Sequence, residues 1–335
     1  MSTYKRITLD LFRTRTAMPK TLLEYSESLD ERNLRWPAPP KVEPANAGPS
    51  TKPLEDIQAV TWSIYGTLLR ITDGELLFQH PQTVRMEVAI EKTIHEFNMW
   101  NSMTRRPGKP WEYLLPKYLN ALEDARLRAS SRKGDIPEID SASVWLRLLE
   151  MLGKKEYQYD ESLYGDLPEL AEKIAFFFQS SLQGTEVTPG ALATIIAIRE
   201  GGLRQAILSD AQCFSLVQLT RALRSQGNVP HLRGVFPESL NTLSHEWGIR
   251  KPSISLYAQA IYRFKEAGIE PHQILHIGTR MKDDLAVAKS CGLRTVLYAG
   301  DKSSLQATAD DLRNPETRPD RLITELEQLR DILTV

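Results

Sequence analysis

Ala59-Val60-Thr61-Trp62-Ser63-Ile64-Tyr65-Gly66-Thr67-Leu68-Leu69 is a short apolar, β-rich run that stops at a glycine and a hydroxyl residue. A parallel strand that delivers side chains to the carboxyl edge of an open α/β sheet has this form. Function is expected at that edge.

Outward from this stretch, the chain has 335 residues, 41% of them hydrophobic, and a net charge of −1. That is enough for one large or two modest globular domains, and the charge balance argues against nucleic acid or another polyanion as a partner. Cys213 and Cys291 are the two cysteines, too few for a disulfide framework or a cysteine zinc site. No run of about 18 apolar residues suggests a membrane span. Met1 to Lys20, interrupted by Lys5, Arg6, Asp10, Arg13 and Arg15, lacks the apolar core of a secretory signal. A reducing, cytoplasmic location is expected.

Residues 1–55 read as an arm: one amphipathic piece from Leu22 to Leu29, then a proline-dense extended tether through Trp36-Pro37 and Pro39-Pro40 to Pro53. Pro39 and Pro40 read as plain linker in preference to an adaptor-domain ligand. Past Asp73-Gly74 the pattern is helical to about residue 184, with apolar residues three and four apart over Met86–Phe97, Tyr113–Leu127, Val144–Leu152 and Leu170–Phe178. Pro107-Gly108, Gly134 and Gly153 separate these helices. Their aromatic clusters, Phe97 to Trp100 and Phe176 to Phe178, read as internal packing in preference to a substrate-facing wall. His95, beside Glu91 and Glu96, reads as an ordinary histidine and not a metal ligand.

Strand and helix alternate again from Thr188-Pro189-Gly190. Leu203–Ser209, Leu240–Ser244, Ile274–Gly278, Gly292–Tyr298 and Leu322–Thr324 read as strands, giving a doubly wound parallel α/β sheet.

Trp62-Ser63-Ile64-Tyr65-Gly66-Thr67-Leu68 resembles the first motif of the haloacid dehalogenase-like (HAD) hydrolase superfamily, in the Asp-x-Tyr-Gly-Thr-Leu form of its dehalogenase-like branch. Ser63 stands where that motif has its nucleophilic aspartate. Ser209 matches the second motif, Lys251-Pro252 the third, and Gly278 with Asp284 the fourth, with Asp283 as the shorter-spacing alternative; Thr279 replaces that motif's first acid. The resemblance covers about residues 56–335. It implies a Rossmannoid core of residues 56–75 and 185–335, with residues 76–184 as a large helical cap that selects substrates by shape.

The resemblance assigns Ser63 to the nucleophile position beside Tyr65, Ser209 to a phosphoryl oxygen, Lys251 to charge neutralisation and Asp284 to the metal. Serine needs a general base, and no histidine lies in a motif that would set one beside Ser63. A lysine base would require Lys251 to be strongly shifted by burial. Magnesium binding is expected to be weak at best, since Asp284 and Asp283 are the nearby acids, and no cofactor is expected. What remains is an anion site: Lys251, the hydroxyls of Ser63, Ser209 and Thr279, Thr67, and backbone N–H groups at Gly66 and after Gly278, in a pocket more positive than an active relative's. The expected function is a degenerate hydrolase holding a small phosphorylated or acidic molecule. The alternatives are a hydrolase with altered nucleophile chemistry, using Ser63 or a nearby acid, and a non-enzymatic protein that binds a partner through cap and arm.

Overall fold

The computed structural model describes residues 18–103, 108–128 and 133–335. The leader reading at Met1 to Lys20 falls mostly outside them, as does Pro107 of the Pro107-Gly108 separator. In chain order the strands are β1 (Ala59–Trp62), β2 (Leu69–Arg70), β3 (Ile136–Pro137), β4 (Glu186–Val187), β5 (Arg204–Ser209), β6 (Thr242–Leu243), β7 (Ile249–Arg250), β8 (Ile274–Gly278), β9 (Arg294–Tyr298) and β10 (Arg321–Ile323). Six of them form one parallel sheet, ordered β10-β9-β8-β1-β5-β6. The chain starts in the middle and winds outward in both directions, so β1 and β8 flank the point where strand order reverses. In open α/β sheets the crevice beyond that point is where ligands bind.

Strand parity sorts the chemistry from the core. Val60, Trp62 and Ile64 pack with Ile207, Leu275 and Ile277 on one face of the sheet. Ala59 packs on the other face with Ala206, Leu208, Ile274 and the helix Ile254–Glu266, through Leu256, Tyr257, Ala260 and Phe264. Alternation puts Thr61 and Ser63 on the Ala59 face, and His276 and Gly278 on the same face of β8.

Between β2 and β4 lie α2 (Thr83–Glu96), α3 (Pro110–Arg128), α4 (Ser141–Gly153), α5 (Glu161–Tyr164) and α6 (Leu167–Leu182). β2 and β4 pair antiparallel and form the two-way neck of this insertion. At the centre is α6, packed on α2 and α4 and started by a capping box between Asp166 and Glu169. Its phenylalanines pack inside: Phe178 on Tyr118 and Trp145, Phe177 on Phe97 and Trp36, Phe176 on Phe214. His95 is exposed, 3.3 Å from Glu91.

The described part of the arm is a strap. Its helix α1 (Leu22–Ser28), opened by a Thr21–Glu24 capping box, buries Tyr25 and Leu29 in the core of the inserted helices, and Arg32 pairs with Glu96. Beyond Pro37 it crosses to the sheet: Lys302 N–H donates to Glu43 O, Ser50 N–H to Leu322 O, and Leu54 N–H to Ile332 O. The crossing depends on Gly184, where a Cβ would lie 2.4 Å from the carbonyl oxygens of Pro37 and Ala38. Among the described residues no helix is long and apolar enough to cross a membrane.

Candidate functional site

Thr61 and His276 are register partners on β1 and β8, and Thr61 Oγ1 lies 2.9 Å from His276 Nδ1. Asp284 Oδ1, 2.8 Å from Nε2, is a carboxylate oxygen that can only accept, so Nε2 carries the proton of the neutral ring and Nδ1 accepts from the Thr61 hydroxyl. Two residues beyond Thr61, Ser63 Oγ donates to Asp284 Oδ2 at 2.7 Å and accepts from Lys251 Nζ at 2.8 Å. Lys251 Nζ is also 2.6 Å from Asp284 Oδ1, and Tyr257 O–H donates to the same oxygen at 2.8 Å. The Asp284 carboxylate thus takes four donors, from Ser63, Lys251, His276 and Tyr257, at a depth where Lys251 and His276 side chains have no exposure.

Burial alone would raise the Asp284 pKa, but the Lys251 cation, His276 and Arg280 outweigh it and hold the carboxyl well below the ordinary range. Burial pushes His276 down, so the imidazole is neutral. Burial also lowers Lys251, against the opposing pull of Asp284. The contacts of 2.6 and 2.8 Å from Nζ to a carboxylate and a hydroxyl are those of an ammonium in an ion pair.

Above this cluster lies a cavity of about 30 Å³, with Ser63, Ser209, Thr279 and Asp284 on the sheet side and Glu75, Phe78 and Glu138 on the inserted side. Such a volume holds a water or two. A second charge cluster rims it. Arg280 Nη2 is 2.6 Å from Asp210 Oδ2, Arg250 Nη2 is 3.2 Å from Glu75 Oε2, and Lys251 N–H donates to Asp210 Oδ1. Glu138 accepts from Ser244 Oγ at 2.5 Å, and burial pushes its carboxyl pKa up to about 7. The segment carrying Glu138 is clasped to the sheet domain: β3 pairs with β7, and Gln212 bonds both Ile139 O and Ser141 N–H.

The structure brings Ser63, Lys251, Thr279 and Asp284 together and alters the expected roles of the rest. Ser209 accepts from Ile64 N–H and donates to Asp210 O, so its hydroxyl hydrogen goes to the backbone. Tyr65 O–H lies 2.8 Å from Ser215 Oγ and donates to Gln218, turned toward the helix Ser215–Arg224. Gly66 keeps its glycine requirement, with φ +82° and only 2.5 Å between a would-be Cβ and Thr279 Oγ1; its N–H, however, donates to Leu69 O. Thr67 is buried outside the cavity lining, with an unpartnered hydroxyl. After Gly278 the chain stays extended to Arg280, a helical turn begins at Met281, and the Met281 N–H donates to Gln306 O. Asp283 is exposed, whereas Asp284 is 1% exposed.

Two expectations are corrected. His276, within a quoted strand, stands in the Ser63 cluster although no motif placed a histidine there, and strand parity was the signal that could have found it. The pocket is also not left with excess positive charge: Lys251, Arg250 and Arg280 each face a carboxylate of Asp284, Glu75 or Asp210. Tyr257, one turn into the helix after Lys251, was missed with these acids and arginines.

The HAD fold family implies magnesium, and these residues do not fit it. Asp284, the buried acid, spends its oxygens on four protein donors, Ser63 and Thr279 are neutral, and Asp283 faces away. Among the described residues no group of three or more His, Cys, Asp or Glu side chains is placed to hold a metal ion.

A family model described as HAD-hydrolase-like matches residues 248–329, the stretch holding Lys251, Thr279 and Asp284. The chain is 27% identical over 145 residues to a glyceraldehyde 3-phosphate phosphatase of Pyrococcus furiosus, covering 43% of this chain and 53% of that protein. It thus spans about half the length of the curated relative it matches. Among solved structures it is similar to a 2-haloacid dehalogenase from Pseudomonas syringae (TM-score 0.47, 19% identity, 82% of this chain and 97% of that one). It is also similar to a HAD-hydrolase from Bacillus subtilis (TM-score 0.42, 14% identity, 84% and 100%). The matched segment and a parallel sheet wound outward from β1 make the chain similar to HAD-like hydrolases over residues 248–329 and in its α/β core.

Proposed function

We propose that this protein is a HAD-family member whose covalent hydrolysis is greatly weakened or lost, and that its closed site takes a small phosphorylated or acidic ligand at Arg250 and Arg280. The observation that carries the first half is the hydroxyl of Ser63, which donates to Asp284 and accepts from Lys251. A serine nucleophile must lose its proton to a base. Asp284, with its pKa held low, is a poor one, and an ammonium at Lys251 is none. Phosphate recognition in the curated relative's name is in keeping with the second half. Turnover on a broad panel of phosphomonoesters with magnesium is expected near background. A rate of about 10 per second, an ordinary enzyme scale, that vanished in Lys251→Ala would sink the proposal.

One observation favours a second reading, a hydrolase of altered chemistry. Glu138 lines the same cavity with a carboxyl pKa of about 7, suited to a general base. That reading requires a pH–rate limb near 7 that disappears in Glu138→Gln.

A further inference from the structure

Among the described residues, Glu75 forms its ion pairs with two arginines that line the cavity. Its Oε2 lies 3.2 Å from Arg250 Nη2 and 3.6 Å from Arg280 Nη1. The other acid on this pair, Asp210, is fixed: it is 2.6 Å from Arg280, 3.8 Å from Arg250, and accepts the Lys251 N–H. Side-chain exposure separates the members, at 10% for Arg280 and 17% for Asp210 but 35% for Glu75. Long contacts to a partly solvated carboxylate cost little to break, whereas Arg280 and Asp210 have no such exit. Glu75 is thus the member that can leave.

Its departure would change charge and space together. Two guanidiniums would then share Asp210 as their ion-pair partner, making the cavity, which Glu138 also lines, more positive by one charge. Because Glu75 lines the cavity, withdrawing its side chain would also widen it. The movement is the side chain's alone: the backbone of this turn between β2 and α2 is held, with Asp73 N–H donating to Ser303 O, Gly74 N–H to Ile71 O, and Gln183 Nε2 to Glu75 O.

We propose that Glu75 is an internal carboxylate seated on the Arg250–Arg280 pair, so that the site is self-occluded and admits a phosphate- or carboxylate-bearing ligand only by displacing it. This rests on the anion site proposed above and adds how that site is kept shut. A guanidinium pair that accepts a carboxylate from its own chain has the donor geometry for a ligand's carboxylate or phosphate.

Titration calorimetry with inorganic phosphate tests it on wild type, Glu75→Gln, Glu75→Asp and the double variant Glu75→Gln/Arg250→Gln. Glu75→Gln keeps shape and removes charge, and is expected to bind phosphate at least about tenfold more tightly than wild type, or about 1.4 kcal/mol. Glu75→Asp, charged but shorter, is expected between the two, and the double variant is expected to lose the gain. If wild type binds phosphate and Glu75→Gln binds no tighter, self-occlusion is wrong while the anion site stands. A gain that survives Arg250→Gln puts the phosphate elsewhere and also overturns it. If neither wild type nor any variant binds, the anion site fails and the occlusion with it.

Discussion

Replacing Lys251 by methionine keeps most of the aliphatic stem and deletes the cation that neutralises Asp284. The carboxylate would retain its hydrogen bonds from Ser63, His276 and Tyr257 but lose its charge partner, 2.6 Å away in a site with essentially no solvent. Removing one member of a buried pair typically costs about 3–5 kcal/mol. An independent bound agrees: at pH 7 the carboxyl can escape by protonating, which for an ordinary aspartate costs about 4 kcal/mol. The bound fixes the pH dependence. In wild type the Asp284 pKa is lowered, so its stabilisation is fully present above the unfolded value of about 4 and is lost as pH falls through the lower folded value. In Lys251→Met the carboxyl is protonated more easily, so the deficit against wild type should shrink toward about 1 kcal/mol as pH drops from 7 to about 4.

Urea unfolding followed by tryptophan fluorescence, at both pH values, measures this. Asp284→Asn strands the ammonium and should also be costly at pH 7. The double variant should cost less than the sum of the singles by about 2–3 kcal/mol, because the stranded charge is then gone. A Lys251→Met loss below about 1 kcal/mol at pH 7, or equal losses at both pH values with additive singles, would refute the ion-pair account.

Two further outcomes are expected. Ser63→Asp places a second carboxylate against Asp284, since Ser63 Oγ is now 2.7 Å from Oδ2, and should lower stability; together with Thr279→Asp it should produce a magnesium-dependent rise in melting temperature that neither single change gives. No larger magnesium effect in a folded double variant than in the singles would mean that these positions do not form the motif. Leu29→Ala, at a position 1% exposed within the core of the inserted helices, should cost about 2–5 kcal/mol in urea unfolding, and a loss below 0.5 kcal/mol would show that the strap does not stabilise the helices it covers.

The fold was legible because its signals are local. Ile274–Gly278 and Leu203–Ser209 are short, largely apolar runs ended by small residues, and Leu170–Phe178 carries a helical stripe, so strands and inserted helices follow from local pattern and turn residues. The two-residue clasp of β3 on β7 was not legible, since a pair of residues carries no period. At the site, motif order located Ser63, Lys251 and Asp284, but not what holds them. Residues 75, 210, 250 and 280 are scattered along the chain, and each looks like an ordinary surface charge until the sheet gathers them. The expectation of a more positive pocket failed for that reason: it counted acids lost at motif positions and could not count Glu75 and Asp210, which the fold brings in.

Charge balance connects the two substitutions. Among the described residues meeting at the site, Lys251, Arg250 and Arg280 pair with Asp284, Asp210 and Glu75, and Glu138, its carboxyl pKa pushed up to about 7 by burial, lines the same cavity. An aspartate at position 63 would add a further carboxylate where all three cations are already paired, at a depth where an uncompensated charge costs several kcal/mol. Such a site would need another cation to close. Serine needs none, and its hydroxyl instead fills the Asp284 lone pair that faces it, while Lys251 completes the neutral cluster. The absence of a carboxylate at 63 and the poor fit to magnesium are therefore one electrostatic arrangement, and an acid restored at one motif position alone meets a site already neutral without it.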